Sequence, residues 1–296
     1  MEFEQTVKKK TWTAIICIVL LALTLGTLSA CSGIFGKDTD PTKYYIEIGK
    51  VEDSRVANFV FNNAHPSCVR IISEYKKSGN TVVATSASSG FVITEDGYVL
   101  TNRHCVVRYA SNSSDTPMLP SDTPMRANYR IVFTDNTEYS ATLVAFSSSS
   151  DIAVLKISKG ILSSVLETKF QPLVFDKELP YYGDRLYTIG NPENIGLLLT
   201  ELMVSSPGIQ LGKNDAYKSI ILDGNINHGN SGGALLNANS RVSGIIYARV
   251  EGANNDTYGI GCAIPTSEII KFLDSVTNAD INYQVYTAQS SGDVTQ

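Results

Sequence analysis

GNINHGNSGGALLN (Gly224–Asn237) sets one serine, Ser231, among Gly229, Gly232 and Gly233. A serine hydroxyl at its ordinary pKa is a poor nucleophile and needs a base within hydrogen-bond reach. The glycines suit the other half of such chemistry. Attack on a carbonyl creates an oxyanion, and converging backbone N–H groups stabilise it more than the ground state. A sharp turn aims the N–H groups of Gly229 and Ser231 at one point. A side chain at 229 would crowd that point, and Gly232 with Gly233 lets the next strand start close behind. Losing one such donor typically costs about 3 kcal/mol.

The chain has three histidines to supply the base. His104 lies in GYVLTNRHCV, at the end of a predicted strand, and is the candidate. His228 sits in the serine's own tight loop, badly placed to reach the hydroxyl in line, and is expected to shape a neighbouring pocket. His65 precedes Pro66 and reads as structural. The base needs an acid that fixes its tautomer and stabilises the imidazolium. Asp151, which follows SSSS and opens IAVLKI, is the candidate. Its rivals are Asp135, in a hairpin turn with a local backbone role, and Asp223, which ends a strand upstream of the serine. GNSGG also satisfies G-x-S-x-G, but α/β-hydrolases order their triad serine, acid, histidine, and no histidine follows Ser231. The surviving order is histidine, aspartate, serine.

Around this site the chain reads as many short apolar runs cut by turns. GFVIT and YVLTN flank EDG, a hairpin signature. YRIVFTDNTEYSATLVAFS, DIAVLKIS, DRLYTIGNP, LLLTELMVSS, YKSIILDG and RVSGIIYARV continue the series. This spacing argues an all-β sandwich or barrel pair. Two barrels fit the strand-bearing length, one over about 64–160 and one over about 170–265, in a domain spanning 56–275. The break falls near KGILSSVLETKFQP. RVANFVFNNAHP has weak helical spacing and stops at Pro66, and PTSEIIKFLDSV predicts a helix over 266–275. Residues 276–296 read as a polar, frayed tail. SDTPM occurs twice, at 114–118 and 121–125, inside a long loop.

At the N-terminus Lys8, Lys9 and Lys10 precede an apolar run from about Trp12 to Leu28. Residues 1–30 therefore read as a signal peptide or membrane anchor, and 31–55 as a tether. An uncleaved helix with its basic end inside and a segment cut just before Cys31 are both open; an uncleaved helix would leave the remaining chain outside the cytoplasm at the membrane. Cys68, Cys105 and Cys262 remain for the exported domain, an odd number that rules out a complete disulfide framework and leaves one pair open, with small buried thiols the simpler reading. The net charge of −5 carries no basic patch for nucleic acid. The scattered histidines and cysteines offer no metal-ligand spacing, and no glycine loop cradles a phosphate. No cofactor is expected.

SSGFVITEDGYVLTNRHCV, DIAVLKI, IGNPENIGLLLTELMVSSPGI, DGNINHGNSGGALLN and YGIGCAIP together resemble the trypsin-like serine proteases of the HtrA/Deg group, and LSAC (Leu28–Cys31) resembles a bacterial lipobox. The lipobox resemblance implies a lipid anchor on Cys31, which would likewise hold the chain outside the cytoplasm at the membrane. The protease resemblance covers about 64–275. It implies two six-stranded barrels with a C-terminal helix, a triad of His104, Asp151 and Ser231, and an oxyanion hole from the N–H groups of Gly229 and Ser231. It implies peptide-bond hydrolysis of exported or misfolded polypeptides through an acyl-enzyme. A catalytically silent protease-fold binding or scaffolding protein is the alternative. Family members often trimerise through N-terminal segments, so a homotrimer is among the implied assemblies, though the tether here is short. The family's usual PDZ domain does not fit in the residues after the last helix. Asn230 stands where digestive relatives carry an aspartate that pairs with a new N-terminus, so activation by propeptide cleavage is not expected. The cysteine that pairs with the Cys105 position in secreted relatives has no counterpart in SASSGF, so that bridge should be missing. Ile245, Ile246 and Tyr247 would line the primary pocket, with Asn225 at its base, which favours a small or medium apolar P1 residue.

Overall fold

The computed structural model describes residues 53–76, 81–108, 126–147, 149–158, 169–212, 217–249 and 259–287. The N-terminal apolar run, Cys31, the SDTPM loop and residues 159–168 of the expected break lie outside them. Among the described residues no helix is long and apolar enough to cross a membrane.

Helix α1 (Asp53–Ala64) opens the described chain. Its Val56, Val60 and Ala64 recur every four residues and are buried on one face. Pro66 ends the helical run in a single tight turn over His65–Ser67. Six strands follow: β1 (Cys68–Lys76), β2 (Val82–Val92), β3 (Tyr98–Asn102), β4 (Arg126–Val132), β5 (Glu138–Ser147) and β6 (Ile152–Ile157). They close into a barrel in the order β1-β2-β3-β6-β5-β4. The EDG signature is the β2–β3 turn, where the Gly97 N–H donates to the Thr94 carbonyl at 3.1 Å. The short helix α2 (Arg103–Val106) follows β3 directly.

The second half adds β7 (Phe175–Asp176), β8 (Arg185–Gly190), β9 (Leu198–Ile209), β10 (Ser219–Asp223), β11 (Ala234–Leu236), β12 (Val242–Arg249) and β13 (Ile260–Pro265). Strands β11-β8-β9-β10-β13-β12 are hydrogen-bonded in that order, and β12 returns to β11. The ring is thus a second six-stranded barrel. Helix α3 (Thr266–Ser275) follows β13. The fold is all-β, two six-stranded barrels with a C-terminal helix.

Several strands are apolar on both faces, and the structure gives the reason. Val92, Val99 and Leu155 fill the first barrel. Their neighbours Phe91, Leu100 and Val154 point outward into a seam shared with Leu236, Ile245 and Ile264 of the second barrel and Ile269, Phe272 and Leu273 of α3. Alternation by two sends one residue to each core. Leu235 and Ile246 fill the second barrel in the same way.

Past α3 the chain departs from the expected frayed tail. Strand β14 (Val285–Tyr286) pairs in parallel with β7. The Tyr283 ring meets Phe175 edge-on at 5.6 Å, and Ile281, Tyr283 and Val285 pack on the seam. These three alternate by two, a pattern too short to stand out from its polar surroundings.

Phe175 is fully buried between Phe91 and Tyr283. Phe175→Ala is expected to destabilise the protein by about 3–5 kcal/mol, read as a lower urea midpoint at unchanged slope.

Candidate active site

The first barrel presents His104 on a clamped turn. Ser73 Oγ and Tyr75 Oη, both buried inside the barrel, donate to the Cys105 carbonyl at 3.1 and 3.0 Å. Tyr129 Oη donates to the Val106 carbonyl at 2.7 Å. Three hydroxyls thus satisfy the carbonyls of a four-residue helix too short to hold itself. His104 emerges from it with its side chain 44% exposed.

Asp151 meets it from the mouth of β6. Its Oδ2 lies 2.6 Å from His104 Nδ1, and its Oδ1 accepts the His104 backbone N–H at 3.0 Å. The Asp151 carbonyl accepts the Arg103 N–H at 3.1 Å and Asn102 Nδ2 at 3.0 Å. Asp151 has a φ of +53°, a conformation that costs about 1–3 kcal/mol in a non-glycine residue and persists where neighbours over-determine it. Four bonds to one aspartate do so.

The second barrel presents Ser231 between β10 and β11. The loop is pinned across the seam by Ser89 of β2. Ser89 N–H donates to the Ser231 carbonyl at 3.0 Å, and Ser89 Oγ donates to the Gly229 carbonyl at 2.6 Å while accepting the Asn191 N–H at 2.8 Å. Gly229 has φ +96°, and a Cβ there would strike the Asn191 carbonyl. Gly232 has φ +86°, and a Cβ there would enter the Ser89 carbonyl and the Thr101 hydroxyl. Both glycines are therefore required by backbone angle, Gly229 also by the nearby Asn191 backbone and Gly232 by the closeness of the first barrel. The N–H groups of Gly229 and Ser231 bond to no group among the described residues.

Base and serine converge on one sulfur. Cys105 Sγ is 3.5 Å from His104 Nε2 and 3.7 Å from the Ser231 carbonyl. Ser231 Oγ donates not to His104 but to the Tyr247 carbonyl, at 3.3 Å. The structure thus brings His104 and Asp151 into direct contact and holds Ser231 beside them with its hydroxyl turned toward β12.

The other sequence candidates separate cleanly. Asp135 accepts the Thr137 N–H at 2.8 Å within its turn, and Asp223 is exposed at the end of β10. His65 stacks on Phe61 at 4.3 Å, and burial lowers its pKa. The His228 carbonyl accepts the Glu193 N–H at 2.8 Å. Of the expected pocket residues, Ile245 and Ile246 are at 0% exposure in two different cores, so neither side chain reaches open space. Consecutive strand residues point to opposite faces, and here both faces are covered. Tyr247 is only half-buried, its Oη 2.9 Å from Ser219 Oγ. Asn225 is exposed, and its neighbour Ile226 packs on Gly261. Ser89 carries no role in the sequence reading. It is a small residue in a serine-rich run, and nothing local marks it as a clamp between barrels.

Cys68, Cys105 and Cys262 are free, buried thiols. Burial pushes Cys68 up to about 12 and Cys262 up to about 11, the latter against a hydrogen bond from Tyr247. No group of three or more metal-ligating side chains occurs among the described residues.

Burial pulls the His104 pKa down, but the Asp151 hydrogen bond and the Cys105 contact outweigh it and raise it to about 10. A folded value above the unfolded 6.5 means that this pair stabilises the fold fully below about pH 6.5 and ceases to as pH rises through about 10. The ring is partly exposed, so solvent screening keeps that contribution small. An NMR titration should place the His104 midpoint well above 6.5, and Asp151→Asn should bring it down.

Residues 88–245 match the family model described as a trypsin-like peptidase domain. The chain is 30% identical over 227 residues to the serine endoprotease DegS of Salmonella typhimurium, covering 74% of this chain and 56% of that protein. It is 29% identical over 226 residues to DegS of Escherichia coli K12, covering 74% and 57%. It is 33% identical over 189 residues to a probable periplasmic serine endoprotease, DegP-like, of Rhizobium meliloti, covering 64% and 32%. The chain thus spans little more than half the length of the DegS relatives. The double barrel, the Ser231 loop it frames and the match across 88–245 place this chain in the trypsin-like peptidase family.

Proposed function

We propose that this protein is a serine endopeptidase of the HtrA/Deg type, acting on exported or misfolded polypeptides outside the cytoplasm. The observation that carries the reading is the single thiol, Cys105 Sγ, touching both the His104 ring at 3.5 Å and the Ser231 backbone at 3.7 Å. Base and nucleophile flank one atom, each delivered by a different barrel. The names of the DegS and DegP-like relatives support peptidase activity, and the DegP-like name supports a periplasmic setting. Attachment to a membrane through Cys31 or an uncleaved helix belongs to the same proposal.

The chemistry follows from the geometry. A rotation of the Ser231 side chain from one staggered well to another moves Oγ off the Tyr247 carbonyl toward His104 Nε2. Neutral His104 then takes the hydroxyl proton as Oγ attacks the scissile carbonyl carbon. Asp151 holds the tautomer and stabilises the imidazolium. The oxyanion falls to the N–H groups of Gly229 and Ser231. His104 returns its proton to the leaving amine as the C–N bond breaks, and an ester to Ser231 remains. Water repeats the sequence and frees the serine. A small or medium apolar P1 residue belongs to the same proposal, supported by the half-buried Tyr247 ring beside Ser231, whose hydroxyl bonds the Tyr247 carbonyl.

One observation favours the silent-scaffold alternative: the Ser231 hydroxyl is engaged by Tyr247 rather than by His104. A fluorophosphonate probe decides between them. Ser231 should label in the wild type and not in Ser231→Ala, and peptide-library cleavage should centre on apolar P1 residues. No labelling together with no cleavage under any trigger would favour the scaffold, and cleavage after basic residues would overturn the pocket assignment.

The raised His104 pKa gives a second expectation. An imidazolium accepts no proton, so kcat/KM should rise with pH along a limb whose midpoint lies above the ordinary histidine value of about 6.5. Cys105→Ala removes one of the groups holding that proton and should shift the limb to lower pH.

A further inference from the structure

The acid of the candidate triad is held from a direction that the triad does not explain. Ser150, the residue before Asp151, is 2% exposed and donates its hydroxyl to Glu268 Oε1 at 2.7 Å. Glu268 is itself only 9% exposed and lies in the first turn of α3. A carboxylate there is favoured by the free N–H groups and dipole of the helix start. Its other oxygen lies 3.6 Å from Lys271 Nζ. The Ser150 N–H is also used, donating to Ser147 Oγ at 3.1 Å. Ser150 is therefore fixed at both ends, and Asp151 must leave it at φ +53° to reach His104.

We infer that Glu268 is a positioning residue for the Asp151–His104 pair, acting through Ser150 from the C-terminal helix. The inference rests on the endopeptidase reading for its kinetic consequence, but not for its structural one. Asp151 belongs to the first barrel, whereas α3 follows the last strand of the second. The bond therefore couples the acid to the half of the molecule that carries Ser231. Asp151 Oδ1 and Oδ2 meet two nitrogens of one residue, an arrangement that tolerates little rotation about the backbone. A loop free to relax out of the left-handed region would carry the carboxylate off the imidazole. Ser150 and Glu268 prevent that at the residue immediately before it. Neither side chain faces the Ser231 hydroxyl, so neither is a catalytic residue.

The test compares Glu268→Ala, Ser150→Ala and Glu268→Gln in the full chain, with Ser231→Ala as the inactive reference. Two readouts are used: steady-state cleavage of an apolar-P1 peptide across pH, and the low-field proton resonance of His104 Nδ1–H, which needs no turnover. Glu268→Ala and Ser150→Ala should lower kcat by about tenfold with KM within about twofold, as expected for displaced catalytic groups. Their acid limb should move toward the ordinary histidine value, and the resonance should weaken or broaden. Glu268→Gln keeps an acceptor oxygen for Ser150 and should stay within about twofold of wild type. Wild-type kcat, pH limb and resonance in Glu268→Ala and Ser150→Ala would overturn the inference, as would a loss carried wholly by KM. If Glu268→Ala does not fold, Ser150→Ala, which removes only a hydroxyl, decides. If wild type is as inactive as Ser231→Ala, the endopeptidase reading fails, and the resonance alone still upholds or sinks the Glu268 role.

Discussion

Everything at the site depends on two barrels being held in fixed relation, and one residue of β2 carries much of that constraint. Ser89 uses its amide on Ser231 and its hydroxyl on Gly229 and Asn191. It is fully buried, so these bonds form where water does not compete and an unmade partner would be costly. Behind it the apolar seam, from Phe91 and Leu100 to Ile245 and Ile264, supplies affinity between the halves without direction. Ser89 supplies the direction. Gly232 is a consequence, because a Cβ there would run into the Ser89 carbonyl.

The first barrel holds its own part differently. His104 stands on a helix of four residues, which has no intrinsic stability. It persists because Ser73, Tyr75 and Tyr129 reach its carbonyls from the barrel interior. Polar groups inside an apolar barrel are tolerable when each is paired, and here each pairing fixes the turn. Asp151 repeats the logic, its backbone angle maintained by partners on α2 and β3. The site is assembled from many ordinary bonds, most of them made by residues outside His104, Asp151 and Ser231.

Much of this was legible in the sequence, for reasons that can be stated residue by residue. Ser231 announced itself because a positive-φ loop needs glycine, and glycines are visible. His104 stood out because the chain has so few histidines, and Asp151 because it lies between His104 and Ser231 in chain order; the structure brings His104 and Asp151 into contact. The helix over 266–275 showed its period, whereas the strand at 285–286 was too short to show one. Ile245 and Ile246 misled because alternation says that neighbours face opposite ways, but not that both ways are covered. Ser89, Ser150 and Glu268 were not legible at all. Their roles lie in partners far along the chain, and a serine or glutamate bonded across a seam looks the same in sequence as one facing solvent.

The pairing of β14 with β7 gives the molecule a temporal character. Phe175 stands at the link between the barrels, with Phe91 on one side, and its cover is completed only when Tyr283 arrives from beyond α3. A polypeptide made from its N-terminus onward holds this aromatic side chain bare while the second barrel is still being synthesised. The seam closes last, when Ile281, Tyr283 and Val285 pack onto it. An apolar seam that takes its last strand and its last aromatic contact from residues beyond α3 is completed after both barrels and the Ser231 loop have been made.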